Sequence, residues 1–207
     1  MKILLTGGSG MLGTEMKKYL KFFAPSHKDF DITKPKTLKG YYNTEDLTII
    51  HCAAYTNVPK AEIEKDKCFG INVTGTYNMV EAFSNAYFVY ISSEHVFPEP
   101  LNFYCKTKLW GEEIVKVHHA NHLIIRTLFK KNPFPYEYAF FDQITDGDYV
   151  DVITPMIVKE ILKQTKGTIN IGTGRKTMFE LARRTRPDIK ANSVDDIKNV
   201  KLPHDYI

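Results

Sequence analysis

Short runs of apolar residues recur along this chain of 207 residues and alternate with stretches whose apolar side chains return every three or four positions. The first pattern is typical of strands buried in a parallel sheet, and the second is typical of helices packed on it. The expected strands are residues 1–6, 22–25, 47–52, 86–91, 123–126 and 167–171. The expected helices are 14–22, 35–42, 59–83 with a break near Gly70, 103–117, 151–164 with Pro155 in the first turn, and 177–184. This alternation predicts an α/β fold with a doubly wound parallel sheet.

A glycine-rich segment joins the first strand to the first helix. Gly7, Gly10 and Gly13 follow the spacing G-x-x-G-x-x-G. Gly7 permits a tight turn, Gly10 lets a pyrophosphate approach the backbone, and Gly13 lets the helix pack close to the strand. The amides of Met11 and Leu12 are then expected to face the phosphates at the positive end of the helix dipole. The segment predicts a Rossmann-type dinucleotide site, although a glycine turn without a ligand has the same spacing.

The composition favours a folded protein with an anionic small ligand. Apolar residues make up 43% of the chain and charged residues 25%, with a net charge of +4. Lys and Arg are spread along the chain without the basic stripe of a nucleic-acid binder. Cys52, Cys68 and Cys105 share no metal-ligand spacing, so we expect reduced thiols and a cytoplasmic location. The first strand is too short for a signal peptide and no run reaches the length of a membrane span, so we expect no membrane partner.

Tyr104 and Lys108 lie four residues apart in a predicted helix, which places them one turn apart on the same face. An ammonium held near a phenol lowers the pKa of the phenol, and the tyrosine can then act in proton transfer to a carbonyl oxygen. Ser93, which follows a predicted strand, can supply a hydroxyl to the same oxygen. Taken alone, the tyrosine–lysine pair also fits a solvated helix face.

The choice between the two nicotinamide cofactors depends on the end of the brief second strand. Ser26, His27 and Lys28 follow that strand, and a hydroxyl, an imidazole and an ammonium suit a 2′-phosphate better than a free ribose diol. These residues predict NADP(H). The alternative is that Lys28 is solvated and Asp29 binds the ribose, which would favour NAD(H).

Taken together, these segments resemble the extended short-chain dehydrogenase/reductase family, and within it the dTDP-4-dehydrorhamnose reductase branch. The stretches that carry the resemblance are 7–13, 30–33, 53–58 with 60–62, 71–76, 91–97, 100–104, 108–112 and 125–127, with weaker matches at 142–144, 149–151 and 170–174. The resemblance extends over most of residues 1–185.

The resemblance implies a role for each matching residue. Asp31 and Ile32 would lie against the adenine, and Ala53, Ala54 and Tyr55 would line the nicotinamide ribose. Ser93, Tyr104 and Lys108 would form the catalytic triad, with Lys108 also bonded to that ribose. The predicted substrate-binding residues are Ser93, Glu94, His95 and Val96.

The implied function is an NADP(H)-dependent reduction of a nucleotide-linked 4-keto-6-deoxy sugar. The alternatives are an NAD-dependent epimerase or dehydratase of nucleotide sugars and a non-catalytic NAD(P)-binding regulatory subunit. The chain departs from the family at three places. Ser93 replaces the usual threonine, and Glu94-His95 replaces Asp-Tyr. Only ten residues separate Ser93 from Tyr104, where the family has a long insertion.

The remaining expectations concern organisation. We expect one NAD(P)-binding domain over residues 1–207, in which residues from about 128 add a small substrate lobe. Helices 59–83 and 103–117 would provide the faces of a homodimer by analogy with the superfamily. We expect no metal site at His118, His119 and His122, because no carboxylate completes a ligand set. Trp110 is expected in the core, and the aromatic residues of 129–141 are expected to pack beneath the lobe.

Overall fold

The computed structural model describes residues 1–41, 46–96 and 99–205. In chain order the strands are β1 (Lys2–Thr6), β2 (Leu47–His51), β3 (Tyr87–Ile91), β4 (His122–Arg126), β5 (Phe129–Lys130), β6 (Tyr138–Phe140), β7 (Ile144–Thr145), β8 (Asp148–Tyr149), β9 (Gly167–Asn170), β10 (Lys176–Thr177) and β11 (Lys190–Asn192). The helices are α1 (Met11–Met16), α2 (Pro35–Leu38), α3 (Val58–Ala61), α4 (Lys65–Phe69), α5 (Gly75–Ala82), α6 (Phe103–His118), α7 (Val150–Leu162) and α8 (Met178–Arg183).

A parallel sheet with the strand order β1-β2-β3-β4-β9 forms the centre of the molecule. The expected second strand is reduced to one bridge, in which Phe23 pairs with Leu4 on the free edge of β1. Phe23 therefore pairs with one edge of β1, and the chain then crosses back so that β2 pairs with the opposite edge. Ligands of such sheets bind where the strand order reverses, at the carboxyl ends of the strands. The predicted doubly wound fold is confirmed.

Apolar side chains cover both faces of the sheet, because successive residues of a strand point to opposite sides. In β3, Val89 packs in the cluster that includes α1 and α7, whereas Phe88 and Tyr90 pack in the cluster that includes α5 and α6. All five residues of β3 are buried. A fully apolar strand covered on both sides is what the sequence pattern predicted.

A smaller lobe follows β4. It contains three two-stranded pairs, β5 with β8, β6 with β11 and β7 with β10, and helix α8. Phe134, Tyr149 and Leu181 belong to its own apolar cluster. The lobe lies next to the carboxyl end of β4, and this position brings it to the ligand-binding edge of the sheet.

Helix α1 is shorter than predicted and begins earlier. The sequence predicted residues 14–22, whereas α1 starts directly after Gly10 and ends at Met16. Phe23 donates its amide to Ile3 and accepts the amide of Leu5, both at 2.9 Å. This backbone pairing holds Phe23 against β1 and leaves the preceding residues for a turn.

The predicted break at Gly70 is a change of helix type. Helix α4 continues through one π-helical segment, Gly70–Thr74, into α5. Such an insertion adds a residue to one turn and shifts the side chains that follow. It brings the side chain of Asn72 to the backbone of Tyr55. Residues 42–45, which include the predicted end of helix 35–42, lie outside the described residues.

Two side-chain expectations are wrong. Pro155 lies in the second turn of α7, because the helix starts at Val150 and extends the expected element toward its amino end. Trp110 is 42% exposed and makes edge-on ring contacts with Phe69 and Phe103 at 5.9 and 6.2 Å. The face of α6 that contains Tyr104 and Lys108 turns inward, which leaves Trp110 on the outer surface.

The segment 129–141 contains β5 and β6. Its aromatic residues divide between core and surface, since Phe134 is buried while Tyr136 and Phe141 are exposed. None of the helices within the described ranges 1–41, 46–96 and 99–205 has the length and apolar character needed to cross a bilayer.

Candidate active site

A cleft of about 890 Å³ lies at the carboxyl ends of the central strands. Its walls are formed by the loop after β1, the ends of β2 and β3, the first turns of α6 and the residues after β4. The predicted site residues that line it are Gly7, Gly10, Met11, Leu12, Ser26, His27, Ile32, Ala53, Ala54, Ser93, His95, Tyr104 and Lys108. The topology therefore brings together residues from five separate segments of the sequence.

The glycine loop is built for close backbone contacts. Gly7 has a φ of +73°, and a side chain there would place its Cβ 2.8 Å from the amide nitrogen of Ala53. A Cβ at Gly13 would lie 2.6 Å from the carbonyl oxygen of Gly7. Helix α1 consequently starts against the end of β1, with its first amides at the cleft. This arrangement suits an anionic diphosphate held by backbone N–H groups.

The predicted adenosine end of the site is only partly assembled around the cleft. Ser26 and His27 line the cleft, whereas Lys28 is exposed and lies outside its wall. Asp29 accepts the hydroxyl of Ser26 at 2.7 Å. Asp31 does not line the cleft, because its carboxylate accepts the hydroxyl of Thr33 at 2.7 Å and lies 3.0 Å from the ammonium of Lys34. The cofactor contacts of Lys28 and Asp31 stay predictions.

The loop after β2 is held from below by Asn72. The Asn72 side chain accepts the amide of Tyr55 at 2.7 Å and donates to the carbonyl of Tyr55 at 3.1 Å. It also donates to the hydroxyl of Thr107 on α6 at 3.0 Å. Tyr55 itself does not line the cleft, since its ring is buried and its hydroxyl donates to Glu64. Asn72 therefore fixes the loop that contains Ala53 and Ala54 against α6, the helix that contains Tyr104.

Ser93, Tyr104 and Lys108 lie together in the wall of the cleft. Asn102 caps α6 by accepting the amide of Cys105 at 2.9 Å, so the helix begins one residue before Tyr104. Lys108 is 3% exposed, and its ammonium donates to the carbonyl of Ile91 at 2.8 Å. The same ammonium lies 4.0 Å from the centre of the Tyr90 ring. A cation confined in this way is directed at the end of β3, where Ser93 follows.

Burial sets the protonation of this group of residues. It raises the pKa of the Tyr104 phenol well above its usual range, and a hydrogen bond with Ser93 acts in the opposite direction. The prediction of a lowered pKa for Tyr104 is therefore wrong, because desolvation outweighs the hydrogen bond with Ser93. Burial also lowers the pKa of Lys108 to about 7, against the opposing influence of Glu112. Tyr104 holds its proton at neutral pH.

The predicted substrate segment divides between the cleft and the interior. The His95 ring lines the cleft and lies edge-on to the ring of Tyr104, with centroids 6.2 Å apart. Burial lowers the pKa of His95 to about 3, so the ring is neutral. Glu94 and Val96 are buried outside the cleft, where Glu94 accepts the hydroxyl of Thr145. Their substrate contacts stay predictions.

Sequence reasoning missed one wall of the cleft. It is formed by residues after β4, namely Thr127, Leu128, Phe129, Lys130, Lys131, Pro135 and Tyr136. Their place directly after a predicted strand of a parallel sheet was the available signal, since ligands bind at that end of such strands. Residues outside the matching stretches also contribute, as Lys17 and Cys52 do.

The three neighbouring histidines make separate contacts. His118 lies 3.3 Å from Glu81, His119 contacts the carbonyl of Phe83 at 2.9 Å, and His122 contacts the carbonyl of His119. Asp142, Asp195 and His204 lie within 4.8 Å of one another near the surface of the lobe. They already bond to each other and to Ser193, and this connects residues 193–204 to the lobe.

Comparison with known proteins places this cleft in a family. Residues 1–154 match the family described as RmlD substrate binding domain. The chain belongs to this family. It is 29% identical to the dTDP-4-dehydrorhamnose reductase of Mycolicibacterium smegmatis, over 61% of this chain and 45% of that protein. It is 31% identical to the dTDP-4-dehydrorhamnose reductase of Escherichia coli, over 61% of this chain and 50% of that protein.

Solved structures of this family share the fold. The dTDP-4-dehydrorhamnose reductase of Bacillus anthracis, determined in complex with NADP, superposes with a TM-score of 0.86 at 28% identity. That superposition covers all of this chain and 90% of the other. In sequence, the chain spans about half the length of the curated relatives it matches. The resemblance inferred from the motifs is confirmed at the level of the family.

Proposed function

We propose that this protein is an NADP(H)-dependent reductase of a nucleotide-linked 4-keto-6-deoxy sugar, acting in dTDP-rhamnose biosynthesis. One observation carries the proposal: a single cleft joins the glycine loop to Ser93, Tyr104 and Lys108. Relatives of the same family are named dTDP-4-dehydrorhamnose reductase, and one of them was solved with NADP. These names supply the substrate and the cofactor of the proposal.

The residues present fit a dinucleotide. Side chains at Gly7 or Gly13 would collide with backbone atoms, so the loop keeps its backbone open to a diphosphate. Ser26 and His27 lie at the cleft and provide a hydroxyl and an imidazole for a 2′-phosphate. Ala53 and Ala54 leave room for the ribose beside the end of β2. When bound, the reduced nicotinamide supplies the hydride.

The proton comes from this chain. The hydroxyl of Ser93 holds the substrate carbonyl oxygen, and the phenol of Tyr104 donates its proton to that oxygen as negative charge develops on it. The raised pKa of Tyr104 ensures that the proton is present at neutral pH. Lys108 stabilises the phenolate that remains, because its ammonium is confined to the same wall.

The test is a spectrophotometric assay of NADPH oxidation with dTDP-4-dehydrorhamnose. Tyr104→Phe keeps the ring and removes the proton, so turnover should fall about 100-fold or more, with unchanged affinity for NADPH. Tyr87→Phe is the matched control, since this buried tyrosine donates to the carbonyl of Thr165 away from the cleft. It should retain turnover.

Three results would contradict the proposal. Full activity of Tyr104→Phe would exclude this tyrosine as the acid. A wild-type protein that binds NADPH but oxidises none of it with this substrate would favour a non-catalytic cofactor-binding subunit. Interconversion of sugar epimers without net consumption of NADPH would favour an epimerase.

We also propose that the protein is cytoplasmic and that each chain forms one NAD(P)-binding domain. Two such chains would form a homodimer. Free Cys52, Cys68 and Cys105 suit a reducing compartment. Phe69 and Trp110 expose their rings on the outer surface of α4 and α6, where a second copy could cover them. Size-exclusion chromatography with light scattering measures the oligomeric state, and a monomer at micromolar concentration would contradict the dimer.

A further inference from the structure

Lys130 is a cationic residue of the cleft that the proposed reaction does not use. It lies in β5, is half-buried and lines the cleft together with Tyr136. Its ammonium lies 5.6 Å from the centre of the Tyr136 ring. The pairing of β5 with β8, in which Lys130 is opposite Tyr149, fixes its backbone. The lysine is therefore held in the wall by a strand pair.

The charge of Lys130 is not neutralised by a direct ion pair. Among residues 1–41, 46–96 and 99–205, none of the ion pairs within 4.0 Å includes its ammonium. Burial lowers the pKa of Lys130, and Glu94 is the carboxyl group that acts against this shift. Burial raises the pKa of Glu94 to about 7, so this carboxyl is only partly ionised at neutral pH. An anionic ligand at this wall would therefore favour the charged form of Lys130 and pair with it.

Lys130 lines the same cleft as His95 and Tyr104. Burial lowers the pKa of His95, and the charge of Lys130 adds to that shift. The His95 ring lies edge-on to Tyr104. Glu94 and His95 directly follow Ser93 in the chain. The glycine loop, which suits the cofactor diphosphate, has its own amides and is followed by Lys17 at the cleft. Lys130 is therefore a cation available to a second anionic group in the same cleft.

We propose that Lys130 binds the diphosphate of the nucleotide-linked sugar and that Tyr136 orients its ammonium toward the cleft. The inference rests on the proposed function, and it names the group that holds the charged part of the substrate. A charge-assisted hydrogen bond to phosphate is strong in a partly buried site, where water screens it little. The aromatic ring limits the positions that the flexible lysine stem can adopt.

The experiment is calorimetric titration of dTDP into protein saturated with NADP⁺, with thymidine as the ligand that lacks phosphates. Lys130→Met should weaken dTDP binding about 10- to 100-fold, the range of a lost charged hydrogen bond. Lys130→Arg keeps the charge and should stay within about fivefold of wild type. Lys190→Met, in the exposed strand β11 outside the cleft, is the control and should bind as wild type does. The affinity for NADP⁺, measured in each variant, reports that the fold is intact.

Several outcomes would overturn the assignment. They are dTDP binding no tighter than thymidine, equal affinities for Lys130→Met and Lys190→Met, or loss of dTDP binding in Lys130→Arg while NADP⁺ still binds. A parallel assay of NADPH oxidation separates the two proposals. If dTDP binding depends on Lys130 but no NADPH is oxidised, the diphosphate site at Lys130 is supported and the proposed reductase function is refuted. Turnover with an unchanged KM in Lys130→Met keeps the reductase and refutes the subsite.

Discussion

The buried ammonium of Lys108 should destabilise the cofactor-free protein, so that Lys108→Met is more stable than wild type at neutral pH. Lys108 is 3% exposed, and burial lowers its pKa from 10.5 to about 7. Met keeps the apolar stem and removes the charge that folding must desolvate. A residue proposed to serve catalysis would thus carry a cost in stability.

The size and sign of the effect follow from the two pKa values. Between pH 7 and pH 10.5 the unfolded chain binds a proton that the folded protein has released, so wild-type stability rises with pH. At 1.36 kcal/mol per tenfold, the cost is about 4 kcal/mol at pH 7 and about 2 kcal/mol at pH 9. The variant loses the bond to Ile91, which the neutral amine also makes and which is worth about 1 kcal/mol. Lys108→Met should therefore be about 3 kcal/mol more stable at pH 7 and about 1 kcal/mol more stable at pH 9.

Urea unfolding of both proteins without cofactor at pH 7 and pH 9 measures the difference. The advantage of the variant should shrink by about 2 kcal/mol over this interval, with unchanged m-values. Lys106→Met is the matched control, because Lys106 lies on the same helix with an exposed side chain. Its difference from wild type should not vary in the same way. A difference between wild type and Lys108→Met that is independent of pH would refute the desolvation of this ammonium.

Three further predictions test the loop, the catalytic helix and the choice of cofactor. Gly10→Val should abolish NADPH binding with the fold retained, since its Cβ meets only the Gly7 oxygen at 3.2 Å. Circular dichroism checks the fold and fluorescence titration checks the binding, and a normal affinity for NADPH would contradict the prediction. Gly111→Ala should lower stability by about 1–2 kcal/mol in urea, because overpacking against the Tyr90 hydroxyl outweighs the gain in helix propensity. Gly70→Ala, with no atom near its Cβ, is the control, and equal stability of the two variants would contradict the clash. Wild type should bind NADPH tighter than NADH, and Lys28→Ala should lose up to about fivefold of the NADPH affinity at low salt, because an exposed charge contributes little; tighter binding of NADH would point to Asp29.

The elements that could be predicted from the sequence are those whose signal is local. The apolar runs at β1 to β4 are dense in buried residues, because a strand covered on both faces requires an apolar side chain at nearly every position. The glycine spacing directly after β1 identified the loop, since a Cβ at Gly7 or Gly13 would collide with backbone atoms. Tyr104 and Lys108 could be paired because four residues make one helical turn.

Other features depend on contacts between distant segments. The pairing of Phe23 with β1 ended helix α1 early, and no periodicity within the helix indicates this. Trp110 lies at the surface because α6 packs on the rest of the protein with the face that contains Tyr104 and Lys108. The contact of Glu94 with Thr145, 51 residues away, turned a predicted substrate residue toward the interior.

The sequence by itself determined the strand runs, the glycine loop and the residues available for proton transfer, because each is encoded within a few neighbouring positions. Only the tertiary structure decided that Lys130 lines the cleft and that burial, not the nearby ammonium, governs the pKa of Tyr104. The physical reason is that the dielectric surroundings of a side chain depend on which elements cover it. That coverage is set by chain segments far apart in sequence, so a local pattern does not contain it.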